Sequence, residues 1–190
     1  MLSNKKDKIF SRSLEQADKS DMLFKHGCVA TYGGKIIACG HNFHHSSNHP
    51  FQKDQCSCHA EMDVLRKIWY KNQHKKQKLR RIMRKTTLYI SRISASQNSA
   101  SSAPCAQCLS TIKKYNIKKL IFNLNDEYHE YRSQDYTTNH YSFGYLYVNH
   151  QWPIMLSYWH IAKLYLFKKG FYMLYYIFYS HSWSQSSCGK

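Results

Sequence analysis

Acidic side chains are scarce in this chain: 11 of 190 residues, against 28 lysines and arginines, for a net charge of +17 and a pI near 9.6. A long apolar run is also missing. The longest near the end, Phe171 to Tyr179, holds nine residues, and Lys163, Lys168 and Lys169 interrupt the stretch before it. About 20 apolar residues are needed to cross a bilayer, so no transmembrane segment is expected. Met1-Leu2-Ser3-Asn4-Lys5-Lys6 leads into further charges rather than an apolar core, which gives no secretory signal. No internal repeat is visible. The seven cysteines are odd in number and several lie close to histidines. That pattern suits metal chemistry in a reducing compartment better than a disulfide framework. An intracellular protein, cytoplasmic or nuclear and not secreted, is the expectation.

The positive charge is unevenly placed. Residues 1–125 hold 23 basic and 7 acidic side chains, whereas 126–190 hold 5 and 4. A basic half suits a polyanionic or phosphorylated partner; a solvated lysine surface explains the same numbers. Residues 126–190 instead hold 12 of the 16 tyrosines with no clear period, which fits either a helical lid or an aromatic tail.

Hydrophobic spacing predicts an amphipathic helix over 8–24, with Ile9, Phe10, Leu14 and Ala17 on one face. Cys28 to Tyr32 and Lys35 to Cys39, joined by Gly33-Gly34, read as a β-hairpin. Residues 43–56 form a polar, histidine-rich loop in which His44, His45 and His49 could hold a second metal with Cys56 or Cys58. A helix follows from His59 to about Tyr70, then a strand over 86–90, a small polar loop over 94–103, a helix from Cys105 to Tyr115 and a strand at 120–122. This order predicts an α/β fold, a three-layer α/β/α sandwich around a mixed sheet.

Two clusters carry chemistry. Cys58-His59-Ala60-Glu61 and Pro104-Cys105-Ala106-Gln107-Cys108 together read H-x-E … P-C-x-x-C. One imidazole and two thiolates, His59, Cys105 and Cys108, supply three ligands for a single Zn2+ and leave a fourth tetrahedral position open, as a catalytic centre requires. Glu61 is then the natural proton carrier. Residues two apart do not share a helix face, so His59 and Glu61 can meet one metal only at a helix start. The dipole at the start of the second helix would stabilise the Cys105 and Cys108 thiolates. A closed centre built from Cys56, Cys58, Cys105 and Cys108 is the competing arrangement.

With those residues in view, residues 8–125 resemble the cytidine and deoxycytidylate deaminase superfamily, in particular its deoxycytidylate branch. The likeness extends to His26-Gly27-Cys28-Val29, the Gly34-Lys35-Ile36-Ile37 hairpin and Gly40-His41-Asn42. The resemblance implies a cytidine deaminase-like domain over 1–125, an aromatic-rich extension over 126–190, and hydrolytic deamination of a cytosine nucleotide with release of ammonia. It implies Glu61 as the catalytic acid–base. It also implies a base pocket lined by Gly27, Cys28 and Ala60, a sugar contact from Asn42, and self-association into a homo-oligomer.

The chain departs from the family in spacing. Between Glu61 and Cys105 lie 43 residues, the excess falling in the basic stretch 71–85 and in 94–103. A nucleic acid held by Lys75, Lys76, Lys78, Arg80, Arg81 and Arg84 would make the protein an RNA or single-stranded DNA deaminase, or a catalytically silent binding protein on the same scaffold. His59-Ala60-Glu61-Met62 is similar to bacterial tRNA adenosine deaminases, but Ala103 stands where those carry a glutamate.

Overall fold

The structure, a computed structural model, describes residues 3–44, 51, 57–94, 99–124 and 127–149. Its elements run α1 (Asn4–Asp18), β1 (Lys25–Tyr32), β2 (Lys35–His41), β3 (Phe43–His44), β4 (Ser57–Cys58), α2 (Ala60–Asn72), α3 (Lys76–Met83), β5 (Thr86–Ile93), β6 (Ser99–Ala100), α4 (Ala106–Lys114), β7 (Lys119–Leu124), β8 (Glu127–Arg132) and α5 (Phe143–Val148).

One mixed sheet organises them, in the order β2-β1-β5-β7-β8, with β6 pairing on β5. Among the described strands only β5 and β7 pair in parallel; their connection passes through α4, the crossover that parallel strands need. The β1–β2 hairpin closes on Gly33 and Gly34, both at positive φ (58° and 74°), a turn that side-chain-bearing residues resist.

Strand alternation sorts the core into two clusters. Val29, Tyr89 and Ile121 face α1 and pack on Ile9 and Phe10. Cys28, Ala30, Leu88, Ile90, Leu120 and Phe122 face the other way, beneath Val64, Leu65 and Ile68 of α2, Leu79 and Met83 of α3, and Leu109 and Ile112 of α4. Helices on both faces make the expected three-layer sandwich.

Several boundaries differ from expectation. The first helix begins four residues earlier and stops at Asp18, so Met22 is not on it. Ser20 leaves the helical path and donates its hydroxyl to the Asn42 carbonyl (2.8 Å). Within the basic stretch 71–85 the chain forms α3, whose Leu79 and Met83 are buried while Lys75, Lys76, Lys78, Arg80, Arg81, Arg84 and Lys85 are exposed. Charged residues on every other side hide this short apolar stripe from a periodicity search.

The expected domain boundary at 125 falls inside the sheet. β8 pairs antiparallel along the whole of β7, Tyr128 packs edge-on against Phe10 of α1 (centroids 4.7 Å apart), and a compact unit runs to Val148. Glu-Tyr-His-Glu-Tyr-Arg lacks the apolar alternation that marks a half-buried strand. The rest of the extension, 150–190, lies outside the described residues, as do His45, His49 and Cys56 of the second-metal and four-thiolate readings. No helix among the described residues is long and apolar enough to cross a membrane.

Candidate metal centre and active site

The short β3–β4 ladder pairs Phe43 with Cys58 and delivers the chain to His59, which is still extended (φ −78°, ψ 150°) and occupies the N-cap of α2. Glu61 is the second helical residue. The change of backbone conformation between them brings the two side chains to one corner, which the helical period alone would not. Cys105 holds the matching place before α4 (φ −71°, ψ 164°), and Cys108 lies in the first turn. Neither helix start has a side-chain cap, a feature typically worth ~1 kcal/mol. Both cap positions are given to ligand residues instead. The exposed amide of Ala106 is satisfied from outside, by the His140 carbonyl at 2.7 Å.

The three expected ligands converge. His59 Nδ1 lies 3.1 Å from Cys108 Sγ and 3.5 Å from Cys105 Sγ, and the three donor atoms all lie within 4.8 Å of one another. Ligand bonds of about 2.0–2.3 Å in a tetrahedron put neighbouring donors roughly 3.5–3.8 Å apart, so the group fits one zinc ion, for which three protein ligands are the complement of a catalytic rather than a closed site. Cys58 is not part of the group; its buried thiol points to the His59 carbonyl (3.6 Å), and burial pushes its pKa up to about 12.

The electrostatics favour ligation. A hydrogen bond from Cys108, aided by His59, brings Cys105 down to about 4 despite burial, so it is a thiolate at neutral pH. Cys108 moves the opposite way for the same reason: the two sulfurs share one proton. Burial alone would lower His59, but its hydrogen bond to Cys105 and that residue's charge raise it.

Glu61 is buried (4 % exposed). Burial lifts its carboxyl above the ordinary range, opposed by the nearby His59 charge. The contrast with Asp63, two residues on, is direct. Asp63 is as deeply buried but bridges Arg66 (3.0 Å) and Lys67 (2.6 Å), whereas none of the ion pairs among the described residues includes Glu61.

The residues expected to touch substrate divide. Cys28 and Ala60 are fully buried in the core cluster on the ligand side of the sheet, and the Glu61 charge acts on the Cys28 thiol, which burial raises far above its usual value. Gly27 faces away. A Cβ there would stand 2.0 Å from the Ser13 carbonyl oxygen and 2.4 Å from the Ala17 amide, so its missing side chain admits α1, and only its backbone is available to a base. Asn42 acts as a brace: Oδ1 accepts the His26 amide (2.7 Å) and Nδ2 donates to the Phe24 carbonyl (2.7 Å) and to Met22 Sδ (3.2 Å).

The proximity of Arg92, His26 and His140 escapes a reading of the sequence. The advance signal for Arg92 is one charged residue in the otherwise apolar and small run Leu88-Tyr89-Ile90-Ser91-Arg92-Ile93; strand register and the loop carrying His140 supply the rest.

Solved structures similar to this chain include an apo dCMP deaminase from the cyanophage S-TIM5 (20 % identity, TM-score 0.42, 63 % of this chain and 82 % of that one). A cytidine deaminase from Burkholderia pseudomallei (12 %, TM-score 0.49, 74 % and 100 %) and a mutant cytidine deaminase from Mycobacterium tuberculosis (12 %, TM-score 0.46, 75 % and 100 %) are also similar. No curated protein sequence matches the chain significantly. The sequence profile of the cytidine and deoxycytidylate deaminase zinc-binding region, however, matches residues 3–124, which span the sheet through β7 and all three ligands. The chain belongs to the cytidine and deoxycytidylate deaminase family.

Proposed function

We propose that this protein hydrolyses the 4-amino group of a cytosine nucleotide of the CMP or dCMP type, giving the uracil form and ammonia. His59, Cys105 and Cys108 hold zinc, and Glu61 carries the protons. The observation that carries the reading is a buried carboxyl, in no ion pair among the described residues, beside a convergent His–Cys–Cys donor set. A carboxyl lifted by burial above its ordinary range accepts a proton more readily than a solvated one and can return it to the substrate.

Zinc, when bound, supplies a Lewis acid that makes a water molecule nucleophilic at neutral pH. Glu61 accepts a proton from the attacking water as its oxygen bonds to C4 of the ring, and passes that proton to N3. It then takes the remaining hydroxyl proton and delivers it to the amino group. The C4–N4 bond breaks, a C4 carbonyl forms and ammonia leaves, with Glu61 restored. One carboxylate serving both transfers requires it to sit within reach of ring and leaving group, which a rigid helix start provides better than a loop.

Cys28 and Ala60 wall the base in this reading. Asn42 has already committed both amide hydrogens, so a sugar hydroxyl would donate to the second lone pair of Oδ1. Self-association is part of the same proposal and is checked by sedimentation.

A second reading, deamination within RNA or single-stranded DNA, is favoured by one observation, the exposed cationic face of α3. That face lies past the far end of α2, whose 13 residues extend about 20 Å from the metal ligands. The test is ammonia release from free cytosine, cytidine, CMP, dCMP and a short RNA. Turnover of the mononucleotides with little salt dependence supports the first reading. Turnover of RNA alone, falling steeply with salt, supports the second.

A further inference from the structure

Arg92 is an arginine without a counter-ion among the described residues. It lies next to the end of β5 and pairs in register with His26 of β1, so the two side chains share a face of the sheet. The neighbouring positions identify that face. Cys28 and Ile90, the pair two residues further in, belong to the core beneath α2 and α4, while Gly27 between them faces α1. Arg92 and His26 therefore stand on the metal side, at the edge where β5 hands over to the loop before α4.

The guanidinium is held but unpaired. It lies over the Phe24 ring, 5.0 Å from the centroid, and Phe24 itself is 54 % exposed. Nε of Arg92 is buried and has no hydrogen-bond partner, and Arg92 takes part in no ion pair among the described residues. Arginine keeps its charge at any physiological pH, and in this half-buried side chain an Nε–H withdrawn from water without a hydrogen-bond partner is costly. No carboxylate is among the groups that act on its neighbour His26. His140 is tied to the start of α4 through its carbonyl. Burial first, then the charges of His59, Arg92 and His140, bring His26 down to about 3.

We propose that Arg92 is the phosphate receptor of this site, its planar fork set on Phe24 and flanked by His26 and His140 to take the phosphate attached to the target nucleoside. The inference rests on the cytosine-nucleotide reading above for the base, but concerns a different group of the substrate. A planar fork matches two phosphate oxygens at once, which a lysine cannot do.

The experiment compares dCMP with deoxycytidine, which lacks only the phosphate, on zinc-loaded wild type, Arg92→Gln and Arg92→Lys, with zinc content and Tm measured beside the rates. Losing a charge-assisted contact should raise KM for dCMP by about 10–100-fold in Arg92→Gln, while kcat/KM for deoxycytidine stays within about threefold. Arg92→Lys should recover part of the loss. Tm should stay close to wild type, because Arg92 has no ion pair among the described residues to lose. Equal losses on both substrates, or a variant that loses zinc or melts lower, would overturn the proposal and make Arg92 a structural residue.

A wild type inactive on both compounds would mean the nucleotide reading has failed, and two further arms then judge the receptor alone. Inorganic phosphate should raise the Tm of wild type and not of Arg92→Gln; equal shifts overturn the proposal. A short cytosine-containing single strand whose binding weakens in Arg92→Gln supports the same receptor and identifies a phosphodiester as its source.

Discussion

The two faces of the central sheet are built to different rules. Toward α1 the contacts are Ile9, Phe10, Val29, Tyr89 and Ile121, closed further by Gly27, which lets the helix backbone approach directly. Toward α2 and α4 the apolar core is larger, but its rim carries a lifted carboxyl, a shared-proton cysteine pair, two helix starts without caps and an arginine whose buried Nε has no hydrogen-bond partner. The first face contributes stability. The second gives some up so that its polar groups stay available to metal and substrate, the trade expected where function needs a destabilised site. Asp63 marks the border. It is as buried as Glu61, yet Arg66 and Lys67 neutralise it, and the carboxyl beside the ligands is in no ion pair among the described residues.

This division is open to being broken, the largest expected effects lying on the metal side. His59→Ala should abolish stoichiometric zinc and, with it, turnover. Cys58→Ser should keep both, since Cys58 stands outside the donor group; metal analysis of the two variants decides it, and zinc lost from Cys58→Ser but kept in His59→Ala would reinstate a thiolate centre. Across the sheet, Phe10→Ala should cost about 3–5 kcal/mol in denaturant unfolding and leave kcat per folded molecule unchanged. A fall in kcat at full zinc occupancy would mean that the two faces are coupled.

Smaller effects sharpen the border. Asp63→Asn leaves Arg66 and Lys67 without their shared partner, and because both cations are partly solvated the loss should be about 1–3 kcal/mol rather than the full cost of breaking a buried pair. At the surface, Lys119 first and then Lys6 hold Glu130 below the usual carboxylate range. Its contribution is therefore complete above the unfolded-state pKa and fades as the pH falls through the lower folded value. Glu130→Gln should cost no more than about 1 kcal/mol at neutral pH, and the difference from wild type should vanish in strong acid. A difference that grows on acidification would reverse the assignment.

The ligand set was legible because its residues are chemically rare and its spacing local: a histidine, an acid two places on, and two cysteines three apart each mark a helix start without reference to the rest of the chain. The hairpin was legible for the same local reason, in Gly33-Gly34. Arg92 was not, because its meaning depends on pairing with His26, 66 positions away, and on the lack of a partner, which no sequence states. β8 was hidden because its Tyr and His side chains pack among themselves and on Phe122, leaving no apolar alternation. α3 was hidden by its own charge.

The central claim is that Glu61 moves protons beside a metal it does not bind, and Glu61→Gln tests it most directly. The change is nearly isosteric and removes no ligand, so zinc content and Tm should match wild type. Ammonia release from dCMP should fall by at least the upper part of the ~10²–10⁴-fold range that general acid–base catalysis typically contributes, because one carboxyl serves both transfers. A variant that keeps its zinc and still deaminates within a few-fold of wild type would contradict the account, as would one that loses zinc together with activity.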